Sequence, residues 1–294
     1  MTGGRPPIPI PMKRSIRQRC GFGCVLCGLP LYQYDHILGW ANVNRHHEDE
    51  ILLLCAQHHE EKTKGLLPDE VIREANENPF NLRSDVTAPY TLQFAGNDYL
   101  FDVGSVTFTG NLDREGAFVQ PIRVDGTPIL GVRLEDSHYL LNLYIADEAG
   151  RIVMTIIENE LVLSSWVWDV EFVGRRIVVR EGLGKILIDI EFNPPEGLRI
   201  RRGRLLWNGI ELLITESWAA ILNNRMLLSR ISVMGCSTGL AIGADNERSP
   251  AAFRIAGVPR RDWDRAESVQ WAKRTASDSG LAKLEDIAGM DEVE

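Results

Sequence analysis

The sequence has no uninterrupted apolar run near the ~18 residues that a membrane-spanning helix needs. Its proline-rich start also lacks the apolar stretch of a secretion signal, so we expect a cytoplasmic protein with no membrane partner. A net charge of −9 argues mildly against a dedicated nucleic-acid coat protein. It does not exclude an enzyme acting on nucleic acid, because such an enzyme needs only a local basic surface.

Cysteine is nearly absent beyond the first fifth of the chain. Of the five cysteines, Cys20, Cys24, Cys27 and Cys55 lie in that first fifth, and Cys236 stands alone. A disulfide-stapled secreted protein spreads its cysteines more evenly and usually has an even number of them. Clustering with two-residue gaps is instead typical of thiolates that bind a metal in a reducing compartment.

The length and the changing residue pattern predict an α+β protein in three parts. At 294 residues the chain exceeds the usual single domain, and 44% hydrophobic residues can fill a sizeable core. Residues 1–84 are predicted to form a small module with a proline-stiffened N-terminal arm. Residues 85–244 are predicted to form a mainly antiparallel β-rich domain, and residues 245–294 a short helical, acidic tail.

Local signals predict the elements of the first part. A helix is expected over 13–19, followed by a hairpin-like segment over 24–35. A second helix carries the histidines after Cys55 and ends near Gly65. A third helix begins near residue 67, with a proline and two acids in its first turn, and ends before Pro79.

Alternation of apolar and polar residues predicts strands in the second part. In residues 166–172 and 186–192, the even positions are apolar, and carboxylates such as Asp169 and Asp189 occupy the other side. This pattern is typical of strands with one solvated face. Recurrent turn signals suggest a sandwich, a barrel or a short solenoid, and the lack of a fixed-length repeat favours the sandwich.

Two short segments supply the residues that zinc prefers. Cys24-Val-Leu-Cys27 places two sulfurs on one turn, and Cys55-Ala-Gln-His58 offers a second pair at a helix start. We predict a structural Zn²⁺ held by these four side chains. The alternative is that Cys55 is a buried apolar residue and His58 makes only polar contacts. Cys20 is interpreted as a packed free thiol.

The segment 19–64 resembles an HNH endonuclease of the zinc-stapled ββα-metal type. The matching residues are Cys24-x-x-Cys27, Asp35-His36-Ile37 and Leu54-Cys55-x-x-His58-His59-x-x-Lys62-Thr63. The resemblance covers roughly a sixth of the chain and implies a ββα-metal fold that hydrolyses DNA, with RNA as the other possible substrate. The chain departs from the family at His58, where cysteine is commoner, and at Glu50, where asparagine is expected.

Phosphodiester hydrolysis assigns roles to the matching residues. The reaction needs a water nucleophile, a base and a cation on the phosphate. His36 is the predicted base, since an imidazole with a pKa of about 6.5 accepts a proton near neutral pH. Asp35 and His59 are predicted to hold a catalytic Mg²⁺ or Mn²⁺. Adjacent strand residues point to opposite sides, and the resemblance implies a backbone distortion that lets Asp35 and His36 serve one centre.

Several polar residues of the same segment have open roles. Glu50 is grouped with the catalytic residues, and it can add a second carboxylate to the ion, orient its loop, or lower activity. Asn42 or Asn44 could replace the missing amide, and His46-His47 could bind metal, although the reading of both pairs as solvated loop residues is favoured.

Basic residues suggest where a nucleic-acid backbone would lie. Lys62, Arg17 and Arg19 are predicted to contact phosphates, with a solvated basic surface as the alternative. The strongest basic cluster is the group of four arginines between residues 199 and 204. It is interpreted as a solvated strand edge that discourages aggregation.

Together these features predict a metal-dependent DNA endonuclease. The β-rich part would serve recognition, sensing or assembly, through a second copy or a partner protein. By analogy, such a pairing suits restriction or phage defence. The alternative is a zinc-stapled nucleic-acid-binding or adaptor protein with a degenerate nuclease centre, of which Glu50 would be the sign.

Overall fold

The computed structural model describes residues 5–244 and 250–281. The chain divides into two compact units. The N-terminal unit contains Met1–Tyr90 and the later segment Val162–Phe172, and the C-terminal unit contains Thr91–Leu161 and Val173–Glu294. The predicted α+β class is confirmed, with strands predominating and helices few. The return of a later segment to the N-terminal unit was not predicted.

Short helices and one pair of strands make up most of the N-terminal unit. In chain order its elements are α1 (Ile10–Arg19), β1 (Gln33–His36), α2 (Trp40–Val43), β2 (Ile51–Leu54), α3 (Ala56–Thr63), α4 (Asp69–Glu77) and α5 (Phe80–Ser84). The two strands are antiparallel, with Asp35 opposite Leu52 and His36 opposite Ile51. The predicted start and end of α4 are confirmed, since Pro68 precedes it and Asn78 ends it.

The predicted hairpin over 24–35 is wrong. Only its last residues belong to a strand, and that strand pairs with β2 beyond the polar loop. Residues Cys24 to Gly28 instead close a tight turn, in which the Gly28 N–H donates to the Cys24 carbonyl at 2.8 Å. This turn places the sulfurs of Cys24 and Cys27 on one side of the unit.

Strand β2 lies at the centre of the N-terminal core. All four of its residues are buried, and they pack with Ile16 of α1, Ile72 of α4 and Val25 of the cysteine turn. Because β2 runs directly into α3 through Cys55, burial of this strand fixes the start of the helix that carries His58. The core therefore positions both halves of the predicted zinc site.

A buried ion pair inside the N-terminal unit joins α1 to the returning segment. Arg17 is 2% exposed, and its guanidinium donates to both carboxylate oxygens of Asp169 at 2.8 and 2.7 Å and to the Tyr34 hydroxyl at 2.8 Å. Burial lowers the pKa of Arg17, but the hydrogen bond and charge of Asp169, together with Tyr34, raise it by more, so the net pKa is raised and the guanidinium stays charged. The solvated face predicted for Asp169 is therefore wrong, and Arg17 is too buried for the predicted phosphate contact.

Breaking this ion pair is expected to destabilise the N-terminal unit strongly. Arg17→Ala leaves the Asp169 carboxylate buried without its main partner, and we expect a loss of about 3–5 kcal/mol in the free energy of unfolding. Urea denaturation followed by tryptophan fluorescence measures the change.

The exposed pair of Arg133 and Glu158 provides the matched control for that experiment, since these side chains are 38% and 53% exposed. Glu158→Gln is expected to cost under about 1 kcal/mol. A loss this small in Arg17→Ala as well would mean that the Arg17–Asp169 pair contributes no more than a surface ion pair.

Strands dominate the chain after α5. In order they are β3 (Tyr90–Thr91), β4 (Asp98–Val103), β5 (Val106–Asn111), β6 (Phe118–Val124), β7 (Thr127–Glu135), β8 (His138–Ala146), β9 (Ile152–Ile157), β10 (Glu160–Leu163), β11 (Asp169–Val173), β12 (Arg176–Gly182), β13 (Lys185–Asn193), β14 (Gly197–Trp207), β15 (Ile210–Ile214), β16 (Ala219–Ile221), β17 (Met226–Leu228), β18 (Ile231–Met234), β19 (Thr238–Ile242) and β20 (Ala251–Ile255). Strands β3, β10 and β11 each span a boundary between the units.

Two sheets build the C-terminal unit. In one, β6 to β9 pair antiparallel in sequence order, and β19 lies parallel between β6 and β20. In the other, β12 to β17 pair antiparallel in order, β4 runs parallel to β14 and antiparallel to β5, and β18 runs parallel to β5. The predicted mainly antiparallel region is confirmed, and the sandwich stays a prediction.

The arginine cluster and its partner carboxylates lie inside the second sheet. Strand β14 has neighbours on both sides, so the predicted strand edge is wrong. Asp189 is fully buried and accepts hydrogen bonds from Arg176 at 2.7 Å and Arg202 at 3.2 Å. Arg204 binds Glu181 at 2.6 Å. The solvated face predicted for Asp189 is also wrong, because guanidinium groups neutralise it within the fold.

The helix predicted for the tail 245–294 is confirmed as α6 (Arg265–Asp278), but the prediction that the tail is only helical is wrong, because β20 in the same stretch pairs with β19. The side chain of Asp264 accepts a hydrogen bond from the Glu267 N–H at 2.9 Å and so caps the first turn of α6. Ala272 and Ala276 pack against Trp218. The acidic end predicted for 282–294 falls outside the described residues. Within 5–244 and 250–281, no helix combines the length and apolar character that crossing a bilayer requires.

Candidate metal centre and hydrolytic site

Four ligand atoms converge between the cysteine turn and the start of α3. Cys24 and Cys27 lie on the turn, Cys55 is the residue before the helix, and His58 lies in its first turn. Their sulfur and nitrogen atoms all lie within 4.8 Å of one another. The four residues predicted from spacing therefore come together, and Cys20 is not among them.

The distances within this quartet fit a tetrahedral metal. The sulfurs of Cys27 and Cys55 are 3.8 Å apart, and Nδ1 of His58 lies 3.3 Å from the sulfurs of both Cys24 and Cys55. Around a tetrahedral Zn²⁺ with ordinary bond lengths, sulfurs lie about 3.8 Å apart and sulfur lies about 3.5 Å from nitrogen. The quartet can hold a metal such as zinc.

The first thiol of the turn, Cys24, is prepared to lose a proton. A hydrogen bond from Cys27 lowers the pKa of Cys24, and backbone N–H groups around the sulfur lower it further. The same contact raises the pKa of Cys27, since the two sulfurs share one proton. Burial raises the pKa of Cys20 to about 11, which keeps that thiol protonated and unsuited to a metal.

Asp35 and His59 form a second cluster beside the quartet. Oδ1 of Asp35 lies 3.5 Å from Nε2 of His59. Because His59 directly follows His58, a metal bound by His58 would also fix the helix face next to β1. Ligand atoms that share one cation at ~2.1 Å lie about 3 Å apart, so the pair can bridge to an ion with a small adjustment.

The Asp35–His59 pair supplies only part of a coordination shell. Across the described ranges, the quartet alone brings together three or more ligand atoms from histidine, cysteine, aspartate or glutamate. A cation at Asp35 and His59 would need water or phosphate oxygens to complete its shell, which is the usual arrangement for Mg²⁺ in enzymes that act on phosphates.

Lys62 places a positive charge on the same carboxylate. Its ammonium group contacts Oδ2 of Asp35 and the backbone carbonyl of His36. The two oxygens of Asp35 therefore divide their contacts, with one facing His59 and the other Lys62. A phosphate contact by Lys62, as predicted, would have to compete with this pairing.

The imidazole of His36 is enclosed. The residue is 1% exposed. Its Nδ1 lies 3.0 Å from a guanidinium nitrogen of Arg5, and its Nε2 lies 3.2 Å from Nδ1 of His46. The ring of Trp40 packs edge-on at 5.2 Å. Burial lowers the pKa of His36, and the positive charge of Arg5 lowers it further, so the imidazole is neutral at pH 7.

Glu50 orients its loop. Its carboxylate accepts a hydrogen bond from Arg45 at 3.2 Å, and this contact lowers the pKa of Glu50. Its backbone carbonyl accepts from the Ile37 N–H at 2.9 Å, next to the end of β1. Of the three roles left open for Glu50, these contacts favour orientation of the loop between β1 and β2.

The structure assigns different partners to the other predicted residues. Arg19 donates to the backbone carbonyls of Ile51 at 2.6 Å and Glu48 at 3.0 Å, so its guanidinium braces the start of β2. A phosphate contact by Arg19 stays a prediction and would compete with these bonds. Asn42 donates to the Leu38 carbonyl at 2.6 Å within its own loop.

Sequence reasoning missed two residues that contact His36. Arg5 stands in a proline-rich arm whose pattern predicts no tertiary contact. His46 was interpreted as a solvated loop residue, with metal binding as the alternative, yet its ring packs against His36 and Trp40. The ten-residue separation of His36 and His46 gives no periodic signal, because a loop joins them.

Comparison of the chain with protein-family models, curated proteins and solved structures found no match.

Proposed function

We propose that this chain is a metal-dependent endonuclease that hydrolyses phosphodiester bonds in DNA, with a ββα-metal module at its N-terminus. The observation that carries the proposal is the 3.5 Å approach of Asp35 to His59 beside the zinc-type quartet, with His36 next in sequence. A carboxylate and an imidazole are suitable ligands for Mg²⁺ or Mn²⁺. The order of these residues in the chain is the order that the HNH resemblance implies.

Each residue then has a defined task. Asp35 and His59 hold the cation, which supplies charge stabilisation at the phosphate when it is bound. His36 accepts a proton from the attacking water, and its lowered pKa keeps it unprotonated for that role at pH 7. Lys62 holds Asp35 in place and lies where a phosphate oxygen would approach. The β-rich region would supply recognition, sensing or assembly.

Cation-dependent cleavage tests the proposal. Purified protein is incubated with supercoiled plasmid DNA in Mg²⁺, in Mn²⁺ or in EDTA, with RNA and single-stranded DNA in parallel. We expect nicked and linear plasmid with either cation and none in EDTA, because the Asp35–His59 pair needs a cation to act on a phosphate. Equal cleavage in EDTA, after prolonged dialysis, would contradict the role of these two residues.

A second candidate is a zinc-stapled adaptor that binds nucleic acid without cutting it. The specific observation in its favour is that both ring nitrogens of His36 are engaged and that Lys62 occupies Asp35. A gel-shift assay run beside the cleavage assay separates the two functions. A shifted DNA band without any nicking, even in protein whose His36 is accessible to solvent, would favour the adaptor.

A further inference from the structure

We propose that the start of the described chain, residues 5–9 (the arm), is an autoinhibitory cover over His36 that nucleic acid displaces. The inference rests on the proposed nuclease function, and it adds how the same site is regulated. The arm is short, it runs from Arg5 to the residue before α1, and it supplies contacts at both ends of a hydrogen-bond chain through His36.

In this hydrogen-bond chain every group donates to the next, from Arg5 through His36 and His46 to Pro6. Arginine has only donors, so Nδ1 of His36 accepts from Arg5 and carries no proton. The neutral ring is then protonated at Nε2, which donates to Nδ1 of His46. Nε2 of His46 lies 2.8 Å from the backbone carbonyl of Pro6, which can only accept. This series of hydrogen bonds therefore begins at the Arg5 side chain and ends at the Pro6 carbonyl, both of which belong to the arm.

This arrangement leaves His36 without a free lone pair. Its one unprotonated nitrogen is occupied by Arg5, and its other nitrogen carries the proton. A general base must present a lone pair to the water it deprotonates. His36 therefore cannot act as the base while the arm is in place, and release of Arg5 frees Nδ1.

The arm is anchored by Ile8 at one end, and its other end, Arg5, is exposed where a competing ligand can reach it. Ile8 is buried in the N-terminal core, and Pro9 precedes the first turn of α1. Prolines at 6, 7 and 9 keep the segment extended, so its anchored end directs Arg5 to His36. Arg5 itself is exposed, and its guanidinium lies 5.3 Å from the centre of the Trp40 ring.

The chemistry of Arg5 indicates what displaces it. Here the guanidinium binds a neutral imidazole, which is a weaker partner than an anion. Arginine binds phosphate through two parallel, charge-assisted hydrogen bonds that are roughly twice as strong as neutral ones. A phosphodiester backbone arriving at the site therefore competes for Arg5 and uncovers the base that acts on it.

The test compares Arg5→Ala with Arg73→Ala in the full-length protein. Arg73 is an exposed arginine on α4, so its variant controls for the loss of one surface charge. Diethyl pyrocarbonate, which modifies unprotonated imidazoles, reports the accessibility of His36, and mass spectrometry identifies the modified residue. We expect His36 to react about tenfold faster in Arg5→Ala, the factor given by losing one hydrogen bond of ~1.4 kcal/mol. Arg73→Ala should react at the wild-type rate.

Plasmid cleavage by the same variants separates the cover from the nuclease. Faster modification of His36 together with faster cation-dependent cleavage in Arg5→Ala supports both the autoinhibitory cover and the proposed nuclease function. Faster modification with no cleavage under any condition supports the cover and contradicts the proposed nuclease. Equal modification of His36 in wild type and both variants would overturn the cover, whatever the cleavage result. Melting curves confirm that each variant is folded before it is compared.

Discussion

Cys55→Ser is expected to abolish zinc binding and unfold the N-terminal unit. Cys55 supplies one of the four converging ligand atoms and is also the residue from which α3 begins. Metal binding in small zinc modules contributes folding free energy on the order of 10 kcal/mol, which is comparable to the whole stability of a typical domain. We therefore expect zinc to fall from about one ion per chain to none. The near-ultraviolet circular dichroism of the N-terminal aromatic residues should be lost as well.

The chain offers a matched control for the loss of a thiol. Cys236 lies outside the quartet, where its sulfur contacts the Met234 carbonyl at 3.6 Å. Cys236→Ser should keep both its zinc and the wild-type melting temperature. Elemental analysis by mass spectrometry and thermal unfolding give the two readings. A Cys55→Ser protein that retains zinc and melts like wild type would show that the quartet is not a metal site.

His36→Ala is expected to lower cation-dependent DNA cleavage on the order of 10²- to 10⁴-fold, the usual contribution of a general base. Zinc content should not change, because His36 is not a member of the quartet. The measurement is the initial rate of plasmid nicking in Mn²⁺ under single-turnover conditions. Added free imidazole should restore part of the rate, since a small base can enter the space left by the side chain.

Two comparisons make the loss of cleavage in His36→Ala specific. His138 is an exposed histidine at the start of β8, and His138→Ala should cleave at the wild-type rate. In the Arg5→Ala background, the gain from removing the arm contact should disappear when His36 is also replaced. Cleavage by His36→Ala at the wild-type rate would remove its assignment as the base.

Local sequence signals predicted well that Cys24, Cys27, Cys55 and His58 converge, because these residues come in two tight pairs. Each pair lies on one turn, so a spacing of three residues nearly fixes its geometry. Prolines and acids likewise predicted α4, whose ends depend on residues within the helix or next to it. The convergence of Asp35 with His59 needed the family resemblance, since no spacing brings β1 to α3.

Alternation of apolar and polar residues predicted where the strands lie but not what covers each of their faces. Asp169 and Asp189 were assigned to solvent because carboxylates usually are. The partner of Asp169 is Arg17, 152 residues earlier in the chain, and no local pattern carries that pairing. Asp189 is neutralised by arginines on β12 and β14, which only the sheet order brings beside it. The prediction therefore failed in the same way for both carboxylates. It placed them in solvent, because their arginine partners lie on other elements of the chain.

The return of Val162–Phe172 to the N-terminal unit limits how this chain can be divided or recombined. A fragment ending at Tyr90 would keep Arg17 but lack Asp169, and it would carry an uncompensated guanidinium in its interior. The N-terminal unit therefore cannot be transferred intact as one continuous segment of the sequence. Residues Thr91–Leu161 separate its two parts in the chain, so any segment that carries the whole N-terminal unit also carries this stretch of the β-rich region.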